Sequence, residues 1–195
     1  MLIKRCLDLI FALLGLVFLL PLFIIISIWI KFDSPGPILF IQKRVGINGQ
    51  IINVYKFRSM FINDGLKLTS DNDPRITKCG YYIRKYKLDE FAQLINVVNG
   101  TMSLVGPRPE VQEYIDIYPK DIKDKILSVR PGITDFASIE FKDENSLLKI
   151  AENPHDLYIK EILPIKQSYY IDYVDNRTIW LDIKIIFLTL IAVFK

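Results

Sequence analysis

The chain has 195 residues, 51% hydrophobic and 12% aromatic, too apolar for a disordered segment and too short for two large soluble domains. Its 25 Lys and Arg nearly cancel its 22 Asp and Glu, so the net charge gives no case for nucleic acid as a partner. The mean hydropathy of +0.25 points to a membrane. Two cysteines, Cys6 and Cys79, with no CxxC pair, fit a reducing compartment rather than a disulfide scaffold or a zinc site.

From Leu9 to Ile30 run twenty-two residues without Asp, Glu, Lys or Arg, flanked by Lys4 and Arg5 before and Lys31 after. The run exceeds the ~18 uncharged residues that suggest a membrane helix, and it is too long, with no small-residue cleavage site, for a signal peptide. Pro21 near its middle lacks a backbone donor and predicts a kink or a break. Two topologies stay open on hydropathy: a spanning helix, and a re-entrant one whose ends emerge on the same side, with Ser27 and nearby backbone helping to satisfy freed polar groups. Ile185 to Phe194, ten uncharged residues, is too short to cross and fits either an interfacial or a buried core helix.

Asp33-Ser34-Pro35-Gly36-Pro37 is a breaker cluster that ends the first helix. Apolar runs Ile38 to Ile41 and Ile51 to Phe57, separated by Asn48-Gly49, predict a β-hairpin. Period two in its second arm groups Val54, Lys56 and Arg58 on one face, a face suited to an anion. Residues 43–88 hold ten Lys or Arg against Asp64, Asp71 and Asp73, a local excess of seven positive charges. That excess suits a nucleotide diphosphate, anionic lipid headgroups or simple solvation. Residues 140–161 lean acidic and carry the only histidine, His155, which reads as a surface residue in an Asn-Pro-His-Asp turn.

With no G-x-G-x-x-G, Walker, H-E-x-x-H or G-x-S-x-G motif, the chemistry falls to carboxylates, arginines and prolines. Leu88, Phe91, Ala92, Ile95 and Val98 recur at helical spacing up to Asn99-Gly100, which places Asp89 at a helix start. It is either an N-cap or, in the field of the helix and of Arg84, Lys85 and Lys87, an ionised nucleophile. With Glu90 beside it, both carboxylates can reach one Mg²⁺ at a first turn. In Gly106-Pro107-Arg108-Pro109 two prolines bracket one cation and preorganise its fork for phosphate, and Arg130-Pro131-Gly132 is a weaker second case. Asp71-Asn72-Asp73 resembles a metal-holding D-x-D but reads as a loop.

These motifs, in order, resemble the bacterial sugar transferase family, the monotopic phosphoglycosyl transferases that start glycoconjugate assembly on polyprenol phosphate. The likeness runs through Lys4-Arg5, Asp8, Gly36-Pro37, Phe40, Gln42, Arg44, Gly46, Lys56 to Met60 and Asp73 to Thr77. It continues through Arg84, Leu88-Asp89-Glu90, Gln93-Leu94, Met102 to Pro109, Arg130 to Thr134 and Asp182-Ile183-Lys184. The resemblance implies a re-entrant helix broken near Pro21 and a catalytic domain on the cytoplasmic face of the bacterial inner membrane. It also implies that Asp89 attacks the β-phosphate of a UDP-sugar, releasing UMP, and that undecaprenyl phosphate then takes the phosphosugar, with Glu90 and Mg²⁺ assisting. Two departures stand out. Phe91-Ala92 replaces a common Leu-Pro, and Asp135 to Ser138 replaces a common Gly-x-Gln, which bears on sugar choice. The chain lacks the extra N-terminal helices of long-form relatives and so reads as a minimal catalytic unit.

The expected fold is α+β: a re-entrant membrane helix over residues 1–32, and a mixed catalytic domain over 33–195 with a small hairpin and interfacial amphipathic helices. Asp89 and Glu90 are the expected catalytic and metal residues, and Arg108, Arg84, Arg130, Lys56 and Arg58 the expected phosphate contacts, the last two equally suited to membrane lipid. A homodimer is compatible with these features. The rivals are a direct-displacement transferase using Asp71 and Asp73 for metal, and a non-catalytic scaffold that binds anionic lipid.

Overall fold

A computed structural model describes residues 2–61, 73–144, 147–148 and 153–194. It has mixed helix and sheet, as expected. Helix α1 (Leu2–Asp33) is followed by the hairpin β1 (Leu39–Val45) and β2 (Ile51–Phe57), α2 (Lys78–Lys85), a 3₁₀ segment (Leu88–Gln93), α3 (Leu94–Val98) and β3 (Ser103–Val105). Then come α4 (Gln112–Ile117), α5 (Lys120–Ile126), β4 (Gly132–Thr134), α6 (Phe136–Glu140), α7 (Pro154–Leu157), a π turn (Tyr158–Ile162), α8 (Leu163–Asn176) and α9 (Ile179–Phe194).

Helix α1 is unbroken through Pro21, contrary to the expected break. Pro21 leaves the Val17 carbonyl without its helical donor, but both residues lie on the exposed face, away from the packed stripe. Ser27 Oγ donates to the Phe23 carbonyl at 2.6 Å, so it does not serve the group that proline frees. The helix ends where Asp33 to Pro37 predicts, with Gly36 at φ 125. It is long and apolar enough to cross a membrane by length and composition, and only 11% of its most apolar window is buried.

The face that α1 does bury recurs every three to four residues, through Asp8, Ala12, Gly15, Leu19, Leu22, Ile26 and Ile30. Asp8 accepts from Ser103 Oγ at 2.7 Å and the Leu104 amide at 3.3 Å, while Ala12 packs with Val54, Val97 and Met102. Past Pro21, Ile26 and Ile30 pack with Phe57, Cys79 and Ile83, and the Phe23 and Phe57 rings meet edge to face at 5.2 Å. One domain therefore holds α1 on both sides of the proline. From Asp8 to Ile30 that is roughly 33 Å of helix at ~1.5 Å per residue, held along one side. The opposite face leaves Val17, Phe18, Ile25 and Phe32 exposed, an apolar strip larger than soluble monomers usually show.

The two ends of the chain meet. Lys4 Nζ reaches Asp182 at 2.7 Å and Asp8 at 3.6 Å, and the Tyr173 hydroxyl donates to Asp182 at 2.8 Å. Helix α9 combines both readings made for it: Ile185 is fully buried with Val105 and Tyr173, whereas Trp180, Ile183, Phe187 and Leu190 point outward.

The hairpin forms as expected, antiparallel with Val45 opposite Ile51 and Leu39 opposite Phe57. Its connection is longer than a two-residue turn. Gly46 N donates to Gln50 O at 2.7 Å around a 3₁₀ turn in which Asn48 and Gly49 take φ 55 and 75. Below it, Asn96 is buried and ties α3 to β2, accepting from the Tyr55 amide at 3.0 Å and donating to the Asn53 carbonyl at 2.6 Å. A short parallel pair, β3 with β4, completes the frame (Ser103 opposite Gly132, Val105 opposite Thr134).

Candidate active site

The single helix expected from Leu88 is two pieces, a 3₁₀ segment and then α3, and Asp89 is not its N-cap. That position belongs to Lys87, whose left-handed backbone (φ 53) turns the chain sharply into the segment. The 3₁₀ winding separates consecutive side chains by about 120°, so Asp89 and Glu90 face different neighbours.

Glu90 is locked. Arg108 Nη2 donates to its Oε1 at 2.5 Å and Nη1 to its Oε2 at 3.4 Å, and Lys56 Nζ stands 3.7 Å from Oε1. Burial opposes ionisation of Glu90, but Arg108 and Lys56 outweigh it and hold the carboxyl far below its usual range. Glu90 in turn raises the Arg108 pKa against the effect of burial, while burial lowers that of Lys56 and Glu90 partly restores it. The side chains of Glu90, Lys56 and Arg108 keep 19%, 19% and 29% exposure, so the cluster is covered yet open on one side.

The Asp89 carboxylate makes no hydrogen bond or ion pair with any described residue. Burial first, and the charge of Glu90 second, push its pKa up, against Lys56, Arg84 and Lys87. It is a carboxylate without a partner inside a ring of cations. Arg84 lies within 4.0 Å of Met60 Sδ and pairs with no carboxylate among the described residues.

The Arg108 turn is set by two glycines. Gly132 N donates to the Pro107 carbonyl at 2.9 Å and Gly106 N to the Thr134 carbonyl at 3.1 Å. A Cβ on Gly132 would stand 2.1 Å from Gly106 N, so only glycine lets the strands come this close. One residue beyond the turn, buried Glu110 is held through both backbone and side chain. Its carbonyl accepts from Val45 N at 2.9 Å, and its carboxylate takes the Tyr158 hydroxyl at 3.0 Å and Arg44 at 3.5 Å.

Asp89, Glu90, Lys56, Arg84 and Arg108 thus converge. Two expected phosphate contacts do not join them. Arg58, foreseen on the Lys56 face, lies past the end of β2, is 2% exposed, and is spent on the Ser34 carbonyl at 2.8 Å, the Pro35 carbonyl and the Ile30 carbonyl at the C-terminus of α1. Its charge suits that helix end. Arg130 is exposed and donates through Nε to Gly100 O at 2.9 Å. Of the alternative metal pair, Asp71 lies outside the described residues, and Asp73 is bound by Arg75 at 2.6 Å, which holds its carboxyl at about 2. His155 is exposed, 3.9 Å from Glu113, and opens α7 rather than a turn.

Arg44, Gln93 and Glu110 join the site without having been singled out for it. Gln42 and Arg44 on β1 carried the signal, since the hairpin register puts Arg44 beside β2, but the contact with Glu110 is long-range.

No three His, Cys, Asp or Glu side chains converge as a metal cage among the described residues. The donor set still fits a hard divalent ion that keeps water and substrate oxygens, with Asp89 as the free protein ligand; Glu90 is already taken by Arg108.

A mixed domain with a long apolar helix and a carboxylate set among arginines on a proline-bracketed turn matches the bacterial sugar transferase family over residues 1–195, and the chain belongs to that family. It is 38% identical over 200 residues to a UDP-glucose:undecaprenyl-phosphate glucose-1-phosphate transferase of Escherichia coli K12, covering 100% of this chain and 40% of that protein. It is 36% identical over 193 residues to a UDP-N-acetylgalactosamine-undecaprenyl-phosphate N-acetylgalactosaminephosphotransferase of Aeromonas hydrophila, covering 96% of this chain and 43% of the relative. An exopolysaccharide production protein of Rhizobium leguminosarum is 36% identical over 201 residues, 97% of this chain and 94% of its own. The chain spans about two fifths of the length of the first two of these relatives.

Proposed function

We propose that this chain moves a sugar-1-phosphate from a UDP-sugar to undecaprenyl phosphate in the first membrane step of glycoconjugate or polysaccharide synthesis, by way of a covalent aspartyl intermediate. The observation that carries this reading is the contrast within the dyad: Glu90 is locked by Arg108, while Asp89 has no partner and faces Lys56, Arg84 and Lys87. An unpaired carboxylate in a cationic ring is built to attack phosphorus. A bond forms between Asp89 Oδ and the β-phosphorus, the bond from that phosphorus to the bridging oxygen breaks, and UMP leaves with the electron pair. An oxygen of undecaprenyl phosphate then attacks the same phosphorus and returns Asp89 as a carboxylate. Arg84 and Arg108 balance charge on the phosphoryl oxygens. Mg²⁺, held by Asp89 with water and substrate oxygens, would supply further charge neutralisation.

The same reading puts the domain on the cytoplasmic face of the inner membrane, with α1 inserted from that side. Docking of α1 on one domain on both sides of Pro21 supports ends on the same side, because a helix crossing the bilayer would carry one end away from the domain; the continuous helix does so without the break at Pro21. Cysteines introduced beside Lys4 and beside Phe32 should react with an impermeant reagent from the same side; labelling from opposite sides rejects re-entry. The activity is tested with β-³²P-labelled UDP-sugar and undecaprenyl phosphate. Repeated turnover to UMP that requires both substrates is expected, with no more than a stoichiometric release of UMP and label trapped on protein when the acceptor is withheld. Product without protein-bound label would support direct displacement, and no UMP at all would leave the lipid-binding scaffold.

A further inference from the structure

The last residue of α1 carries its charge at the wrong end for its own helix. Asp33 closes α1 with a carboxylate where the helix dipole is already negative, a placement that works against α1. Its side chain serves another helix instead: Cys79 N donates to Asp33 Oδ2 at 2.9 Å, across 46 residues. Cys79 lies in the first turn of α2, where amides lack partners within the helix and a negative charge is favoured. Thr77 caps the next amide, accepting from Gly80 N at 2.9 Å, and its own N donates to the Ser59 carbonyl at 3.1 Å, so the chain enters α2 beside Arg58. Arg58 makes the junction tolerable, because its guanidinium donates to the Ile30, Ser34 and Pro35 carbonyls and brings a positive charge to the end of α1. Helix α2 is then a short rod of eight residues, about 12 Å at ~1.5 Å per residue. Its last turn carries Arg84, and Lys87 N donates back to the Arg84 carbonyl at 3.0 Å before the left-handed turn that leads to Asp89. Among the described residues the Arg84 guanidinium bonds only to the Met60 thioether, at 4.0 Å, a weak acceptor that does little to aim it. Its charge lies where α2 carries it.

We propose that Asp33 is a positioning residue for the reaction: its carboxylate holds the first turn of α2 so that Arg84, at the other end, faces the phosphoryl group on Asp89. The inference rests on the reading given above, in which Arg84 balances charge on the phosphoryl oxygens. A guanidinium with no carboxylate of its own is free to serve that charge, and the cost of that freedom is that its helix must be held from elsewhere. The end of α1 thereby becomes part of the frame of the active site.

The test is a double-variant cycle on the full chain in lipid nanodiscs, with Asp33→Ala, Asp33→Asn, Arg84→Gln and Asp33→Ala combined with Arg84→Gln. Each is scored by transfer from ³²P-labelled UDP-sugar and by hydrogen exchange across residues 78–85. Asp33→Ala removes the acceptor and should lower kcat about tenfold with KM for the UDP-sugar within about twofold, since Arg84 acts on charge that develops during transfer. Exchange across α2 should rise about tenfold in the same variant. Asp33→Asn keeps an oxygen in place for Cys79 N and should return kcat to within about threefold of wild type. In the Arg84→Gln background Asp33→Ala should change kcat by less than about twofold, because a residue that acts through Arg84 has nothing left to place. Losses that multiply in the double variant mean that Asp33 serves the fold at large, and they overturn the proposal, as does wild-type kcat in Asp33→Ala. Asp33→Glu moves the acceptor by one methylene and carries the test should Asp33→Ala fail to fold, with the same loss and the same indifference beside Arg84→Gln expected. If the wild type transfers no sugar phosphate, the proposed reaction fails, and exchange alone decides whether Asp33 holds α2: unchanged exchange in Asp33→Ala rejects that hold. Transfer by the wild type with kcat and exchange both indifferent to Asp33 keeps the reaction and removes the positioning role.

Discussion

Asp89→Asn is expected to lower sugar-phosphate transfer by at least about a thousandfold while leaving the fold intact or slightly more stable. The first half follows from the chemistry, since the amide neither attacks phosphorus nor forms the acyl phosphate. The second half follows from the environment. Asp89 has no partner, and burial with the neighbouring Glu90 charge raises its pKa above the ordinary 3.8. A carboxyl whose folded pKa is raised favours the fold in its protonated form, and that contribution is lost as pH rises through the folded value. Asparagine removes the penalty at neutral pH. Steady-state transfer and thermal unfolding measured on one preparation separate the two effects, and near wild-type turnover would remove Asp89 from the mechanism.

What the sequence disclosed about this site depended on whether the determinant was local. The hairpin, the stop after Asp33 and the turn around Arg108 are written in short-range signals: alternation, breakers and two prolines. The helical period at Leu88 hid a 3₁₀ segment, because only the positive φ of Lys87 and the anchoring of Asn96 on β2 reveal the change of winding. Period two likewise paired Arg58 with Lys56, but strand β2 stops at Phe57 and the next side chain turns to the carbonyls of α1. The partners of Arg44 and Lys4 lie 66 and 178 residues away, Glu110 and Asp182 respectively, and no local pattern reports them. Pro21 shows the reverse. Its local signal is strong, yet the helix continues, because the domain packs the opposite face on both sides of it.

The dependence of Glu90 on Arg108 sets the second large effect. Arg108→Met leaves a largely covered carboxylate with only Lys56 at 3.7 Å, and breaking such a pair in a fully buried site costs about 3–5 kcal/mol. Here the partners keep 29% and 19% exposure, so solvent screening reduces the expected loss to about 2 kcal/mol by denaturant unfolding at pH 7. Transfer should fall at least about a hundredfold through loss of charge balance on the phosphoryl group. The double variant Glu90→Gln with Arg108→Met removes the orphaned charge together with its partner, so it should regain most of the stability and none of the activity. Recovery of activity in the double variant would mean that Arg108 serves Glu90 alone and never the substrate. The pH dependence has a fixed sign. The wild-type contribution of Glu90, with its folded pKa depressed, is complete above its usual 4.5 and is lost as pH falls towards the folded value. The stability gap between wild type and Arg108→Met must therefore narrow on acidification, and a gap that widens would contradict an ionised, arginine-held Glu90.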